Sequence, residues 1–138
     1  MTYRLVLVAF GVAIALGFAH DTRAKSAPHV ESARVFFVGW DVLTRARLTP
    51  DRVKAMNRIS IEIHDDSLAR RFADWLDLGA MKPRGTDEPA DPRLVLELVY
   101  SDGSIETFYA DRGYLYSHDW RTMRPLDQSF RERFEIVR

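Results

Sequence analysis

Two short stretches of this chain place a histidine beside carboxylates: His64-Asp65-Asp66 and His118-Asp119. A divalent cation needs three or four converging ligands, and general acid–base catalysis needs a group that titrates near neutral pH. If the fold brought both stretches together, His64, Asp66, His118 and Asp119 would suit a metal-dependent hydrolase. Neither stretch has a diagnostic spacing, and a helix cap and a turn explain their composition equally well. We therefore predict no metal ion here and keep the hydrolase as an alternative.

A second candidate acid–base pair is Glu97 and Glu106, which flank the hairpin signal Asp102-Gly103 at similar distances. Across neighbouring strands these carboxylates could face each other, although solvent-exposed strand carboxylates are far commoner. No serine lies in a nucleophile-elbow sequence, no glycine-rich loop follows a strand, and the chain has no cysteine. The sequence therefore predicts a protein that is not an enzyme and needs no cofactor.

Tyrosine, tryptophan and arginine are interleaved between positions 109 and 124. These residue types carry much of the binding energy in protein interfaces. Tyr114 and Tyr116 lie two apart on a predicted strand, and we favour a role in the core beneath a helix for them. Trp120 falls in a polar turn, where we expect it to be exposed. The predicted protein-binding surface comprises Arg112, Trp120, Arg121 and Arg124, with the loop over 79–92 as a second contact.

The first 19 residues have the three-part pattern of a secretory signal peptide. A basic start precedes an apolar run from Leu5 to Ala19, and the chain becomes polar again at His20. This run is shorter than the roughly 20 apolar residues of a membrane span. We expect cleavage before His20, with Lys25 as the second choice, and a periplasmic or secreted protein that does not associate with a membrane.

The whole chain has 138 residues, with 20 basic residues, 20 acidic residues and no cysteine. Such a balance argues against nucleic acid as a partner, because a nucleic-acid-binding surface is strongly basic. Without cysteine, no disulfide can stabilise the protein in an oxidising compartment. After a signal peptide over 1–19, we predict a flexible lead-in over 20–32 and a single domain over 33–138.

Hydrophobic periodicity predicts strand, helix, strand, helix, three meandering strands and a final helix. The expected class is α+β: a largely antiparallel sheet of about five strands packed against two to three helices as a two-layer sandwich. Whether the first two strands pair in parallel stays open. The predicted strands cover 35–42, 59–63, 94–100, 105–110 and 114–117, and the predicted helices cover 50–57, 66–79 and 126–134.

These features together predict a small exported binding domain, for example an immunity or inhibitor protein that binds a toxin or a hydrolase. The general pattern is similar to that of small exported immunity-type proteins of Gram-negative bacteria. Besides the hydrolase, one further alternative is an envelope assembly factor that docks through an exposed sheet edge. In every binding interpretation the partner is another protein, and the oligomeric state stays open.

Overall fold

The computed structural model describes residues 26–135, which form one antiparallel sheet and three helices. The predicted signal peptide and both cleavage positions lie outside the described residues. In chain order the elements are β1 (Val30–Phe37), α1 (Pro50–Met56), β2 (Ile59–Ile63), α2 (Asp66–Trp75), β3 (Lys82–Pro83), β4 (Leu94–Tyr100), β5 (Ile105–Ala110), β6 (Tyr114–Ser117), β7 (Thr122–Pro125) and α3 (Gln128–Glu135). The predicted α+β class is confirmed, and the short strands β3 and β7 raise the strand count to seven.

The sheet has the strand order β2-β1-β4-β5-β6-β7-β3, and every neighbouring pair is antiparallel. This settles the pairing of the first two strands. β1 begins at Val30, earlier than the expected start of order at Ala33, because Val30 pairs with Tyr100 of β4. It ends before the predicted Val42, because Gly39 has a φ of 120° that turns the chain out of the sheet.

The main core lies between the sheet and helices α2 and α3. The alternating isoleucines of β2 join the apolar residues of α2 in one hydrophobic cluster. Trp75 of α2 stacks on Phe130 of α3 with ring centroids 4.6 Å apart. Leu68 does not share this buried face: it is 49% exposed, and Ala69 takes the buried position.

Helix α2 begins after Asp65, whose Oδ1 accepts a hydrogen bond from the backbone N of Leu68 at 2.7 Å. It ends at Trp75 and does not continue to Gly79, because Asp77 has the left-handed φ of 49°. Aspartate tolerates this conformation better than most residues. A 3-10 turn then leads to β3 at the far edge of the sheet, so the loop expected over 79–92 contains a strand.

Helix α1 lies on the opposite face of the sheet, which we call the second face. Its Val53 joins Val38, Leu48 and Val95 in a smaller hydrophobic cluster. Directly opposed residues of antiparallel strands point to the same face. The register therefore places Tyr109 and its partner Tyr116 on the second face together with Val95. Among residues 26–135, no helix has the length and apolar character that crossing a membrane requires.

Candidate functional site

Four aromatic side chains form a continuous row on the second face. Tyr109 of β5 pairs directly with Tyr116 of β6. Trp120, in the turn between β6 and β7, stacks on Tyr109 with ring centroids 4.7 Å apart and contacts Tyr116 at 5.3 Å. Tyr114 continues the row, 6.2 Å from Tyr116. We call Tyr109, Tyr114, Tyr116 and Trp120 the aromatic row.

The predicted place of Tyr114 and Tyr116 beneath a helix is wrong. Leu115, which lies between them, points into the main core below the helices, so both tyrosines point to the second face. Tyr116 is buried there, whereas Tyr114 is 40% exposed. Trp120 is half-buried and not exposed as expected, because its indole rests on two tyrosine rings.

Trp120 has an unusual backbone conformation, with a φ of 61°. Its backbone N donates a hydrogen bond to the carbonyl oxygen of Ser117 at 2.9 Å and so closes the hairpin turn. Glycine is the usual residue at a left-handed hairpin position, and a bulky side chain costs about 1–2 kcal/mol there. Aromatic stacking returns about 0.5–1.5 kcal/mol. The fold thus holds an indole on the second face at a position that glycine would occupy without strain.

The remaining predicted binding residues separate into three locations. The side chain of Arg121 is 85% exposed next to Trp120, with its Nε 3.6 Å from Asp119. Arg112 lies at the other end of β6, where its Nε donates to the carbonyl oxygen of Trp40 at 2.7 Å. Arg124 points to the helix-side face, so its predicted place in the surface is wrong. There its Nε donates to the carbonyl oxygen of Leu76 at 2.7 Å, and it lies over the Phe130 ring.

The two histidine stretches lie far apart in the sheet. His64 follows the edge strand β2, and its Nε2 is 3.0 Å from Glu62 Oε2. His118 follows β6, and three strands separate β6 from β2. At a spacing of about 4.8 Å per strand, the two strands are roughly 19 Å apart. Within the part of the chain that the structure describes, no three histidine or acidic residues are grouped so that they could hold a metal ion.

The aspartates of the same two stretches have local partners. Asp66 accepts a hydrogen bond from Arg70 Nε at 3.0 Å, and this contact holds the pKa of Asp66 below its usual value. Asp119 accepts a hydrogen bond from the Ser117 hydroxyl at 2.6 Å, which likewise holds the pKa of Asp119 below its usual value. An ion pair within α2 and a contact within the turn after β6 therefore account for both carboxylates.

Glu97 and Glu106 do not face each other, so the candidate acid–base pair does not form. The register pairs Glu97 with Thr107 and Glu106 with Leu98. Since adjacent residues on a strand point to opposite faces, a one-residue difference in register separates the two carboxylates. Glu97 points to the second face, where it is buried, and Glu106 points to the helix-side face.

A cavity of about 630 Å³ opens at the end of the aromatic row that carries Tyr114. Its walls are the loop over 38–49, the loop over 84–93 and the turn between β5 and β6. We call it the arginine cavity, because four arginines line it: Arg47, Arg84, Arg93 and Arg112. The sequence singled out only Arg112 and the loop over 79–92. Arg84 belongs to that loop and Arg93 follows it directly, but no spacing signal links residues that three separate segments contribute.

Hydrogen bonds tie the walls of the arginine cavity together. Asp91 Oδ1 accepts from the backbone N of Leu48 at 2.8 Å and so joins the two loops. Asp111 Oδ2 accepts from the Tyr116 hydroxyl at 2.7 Å. Burial, followed by this hydrogen bond, raises the pKa of Tyr116 above its usual value. The guanidinium of Arg84 lies 5.2 Å from the centre of the Tyr116 ring, so Tyr116 belongs to both the row and the cavity.

No protein-family model matches this chain, and comparisons with curated proteins and with solved structures find no match. What the protein does must therefore be inferred from its own residues.

Proposed function

We propose that this protein is an exported, non-enzymatic domain that binds another protein through the aromatic row and Arg121. The observation that carries the proposal is the left-handed backbone of Trp120, which holds an indole where glycine would be unstrained. Backbone strain of this kind concentrates at functional sites. Stacking on Tyr109 and Tyr116 offsets the strain, but glycine would avoid that strain altogether.

The composition of the surface supports a protein partner. Protein interfaces combine a packed aromatic centre with a polar, solvent-exposed rim. In the aromatic row, buried Tyr116 forms the floor and half-buried Trp120 offers one side of its indole. Arg121 provides a charged rim beside it. Tryptophan, tyrosine and arginine are also the types found most often at binding hot spots.

Among binding proteins, we favour an immunity or inhibitor protein that covers a toxin or an envelope hydrolase. Small size, zero formal net charge and a predicted signal peptide suit that role. The hydrolase alternative depends on His64, Asp66, His118 and Asp119. The first two follow β2, the other two follow β6, and three strands lie between β2 and β6. An envelope assembly factor would bind through an edge strand, and such binding would not depend on Trp120.

Substitution of Trp120 by glycine tests the binding surface. Trp120→Gly removes the stacking and the backbone strain together, so we expect a melting temperature within a few degrees of wild type. Binding to a partner captured from the envelope fraction and then purified should weaken by about 2 kcal/mol or more, roughly thirtyfold in Kd. Calorimetric titration of both proteins with this partner gives the comparison.

Leu68→Ala is the matched control for that experiment. Leu68 is 49% exposed on the helix side of the sheet, so its truncation should leave partner affinity unchanged. Equal affinity of wild type and Trp120→Gly would contradict the proposed surface. If Leu68→Ala weakened partner binding and Trp120→Gly did not, the interface would lie on the helices.

The predicted signal peptide allows a separate test, which is the identity of the first residue of the exported protein. The exported product should begin at His20, and intact-mass measurement of the periplasmic fraction determines its first residue. Ile14→Asp interrupts the apolar run and should leave the full-length chain in the cytoplasm. Recovery of a membrane-bound product that retains residues 1–19 would contradict cleavage.

A further inference from the structure

Beyond protein binding, we propose that the arginine cavity binds a small molecule that carries two or more oxyanion groups, such as a tricarboxylate or a pyrophosphate. Its volume of about 630 Å³ lies within the range of 300–1,000 Å³ typical of small-molecule sites. Guanidinium groups recognise carboxylate and phosphate by paired, charge-assisted hydrogen bonds. Four such groups from three segments of the chain line one cavity.

Arg93 supplies the first independent observation. This residue is only 5% exposed, and its Nη2 donates to Asp91 Oδ2 at 2.5 Å. Its Nη1 is buried and has no hydrogen-bond partner, and the same is true of Nε of Arg84. An unsatisfied buried donor costs about 1–3 kcal/mol, and more when it is charged. An oxyanion in the cavity is the kind of ligand that would satisfy guanidinium groups left in this state.

The balance of charge in the cavity supplies the second observation. Among the described residues, Arg47, Arg84 and Arg112 form no ion pair with a carboxylate. Three acidic residues line the cavity against four arginines: Asp91 and Asp111 already accept hydrogen bonds from the protein itself, and the third, Glu88, is exposed. Because Arg47, Arg84 and Arg112 are left without a carboxylate partner within residues 26–135, the cavity favours an anionic ligand over a cation.

The cavity shares Tyr114 and Tyr116 with the aromatic row, but the arginines that line it are separate from Trp120 and Arg121. Trp120 and Arg121 lie at the far end of β6 from Arg112 and the turn between β5 and β6. Neither residue lines the cavity. Anion binding can therefore fail while the aromatic row still binds its partner, and the reverse also holds.

The test is calorimetric titration of the mature protein with citrate and with pyrophosphate, with sodium chloride at matched ionic strength as the reference. We expect one-to-one binding of at least one anion with a Kd of about 1 mM or lower. Arg47→Gln and Arg84→Gln should each weaken it about tenfold, the loss of one charge-assisted hydrogen bond. These two variants keep the test decisive if a change at buried Arg93 prevents folding.

Arg45→Gln is the matched control. Arg45 is an exposed arginine of the loop that carries Arg47, but Arg45 does not line the cavity. It should bind the anion like wild type, and so should Trp120→Gly. Absence of binding by both anions would overturn the proposal, as would an equal loss in Arg45→Gln and Arg47→Gln. If neither anion binds but Arg84→Gln weakens partner binding, the oxyanion is a carboxylate of the partner, and the small-molecule proposal is wrong.

Discussion

Replacing Phe130 by alanine is expected to lower the free energy of unfolding by about 3–5 kcal/mol. Phe130 is 2% exposed, and its ring stacks on Trp75 with an interplanar angle of 8°. It also contacts Phe134, so its removal opens a cavity between α2 and α3. No disulfide can offset the loss, since the chain has no cysteine. Because small domains have about 5–15 kcal/mol in total, the variant should be close to unfolding at 37 °C.

Urea unfolding followed by tryptophan fluorescence measures this effect directly, because Trp75 itself reports on the contact. Leu43→Ala is the control: Leu43 is 91% exposed, and a change there should stay within about 0.5 kcal/mol. A loss below 1 kcal/mol in Phe130→Ala would show that α3 does not pack on α2 as described.

The sequence was informative wherever short-range pattern determines structure. Thr49 directly before Pro50 and Asp51 has the residue pattern of a helix N-cap, and its side chain accepts a hydrogen bond from the backbone N of Arg52 at 3.3 Å. The turn Asp102-Gly103 was predicted from turn chemistry, and Gly103 has the positive φ of 83° that glycine permits. These features depend on neighbours within four residues, so one sequence contains the information.

Long-range pairing was harder to predict. β3 has two residues, too few for any periodicity, and it exists because Lys82 and Pro83 pair with residues some 40 positions later in β7. Alternation shows that Tyr114 and Tyr116 share a face, but it does not show which face the helices cover. The sequence also leaves the register of neighbouring strands open, and this is why Glu97 and Glu106 could be taken for an acid–base pair.

The candidate site shows the same limit. The residue types near Trp120 pointed to a binding surface, and the turn between β6 and β7 carries both Trp120 and Arg121. Only the fold shows the left-handed backbone beneath the indole. The arginine cavity was out of reach, because Arg47, Arg84 and Arg112 come from three segments that meet only after the sheet has formed.

Glu97 is the basis of the second large effect that we expect. This carboxylate is 7% exposed on β4, where Arg34 Nη2 lies 2.9 Å from its Oε2 and Lys54 Nζ contacts its Oε1. Arg34→Met with Lys54→Met removes both counter-charges and leaves a buried, uncompensated carboxylate. Breaking a buried ion pair in this way typically costs about 3–5 kcal/mol. Urea unfolding of the double variant measures the loss.

Addition of Glu97→Leu to the double variant separates charge from packing. If the uncompensated charge causes the loss, the triple variant should recover most of the stability, since apolar replacement of a complete buried ion pair is often neutral. If the triple variant is as unstable as the double variant, poor packing of the two methionines causes the loss of stability. If the double variant is as stable as wild type, the Glu97 carboxylate remains solvated. Lys54 belongs to α1, directly after the loop that carries Arg47. The contact of Lys54 with Glu97 therefore ties α1 to β4 beside the loop that forms one wall of the arginine cavity.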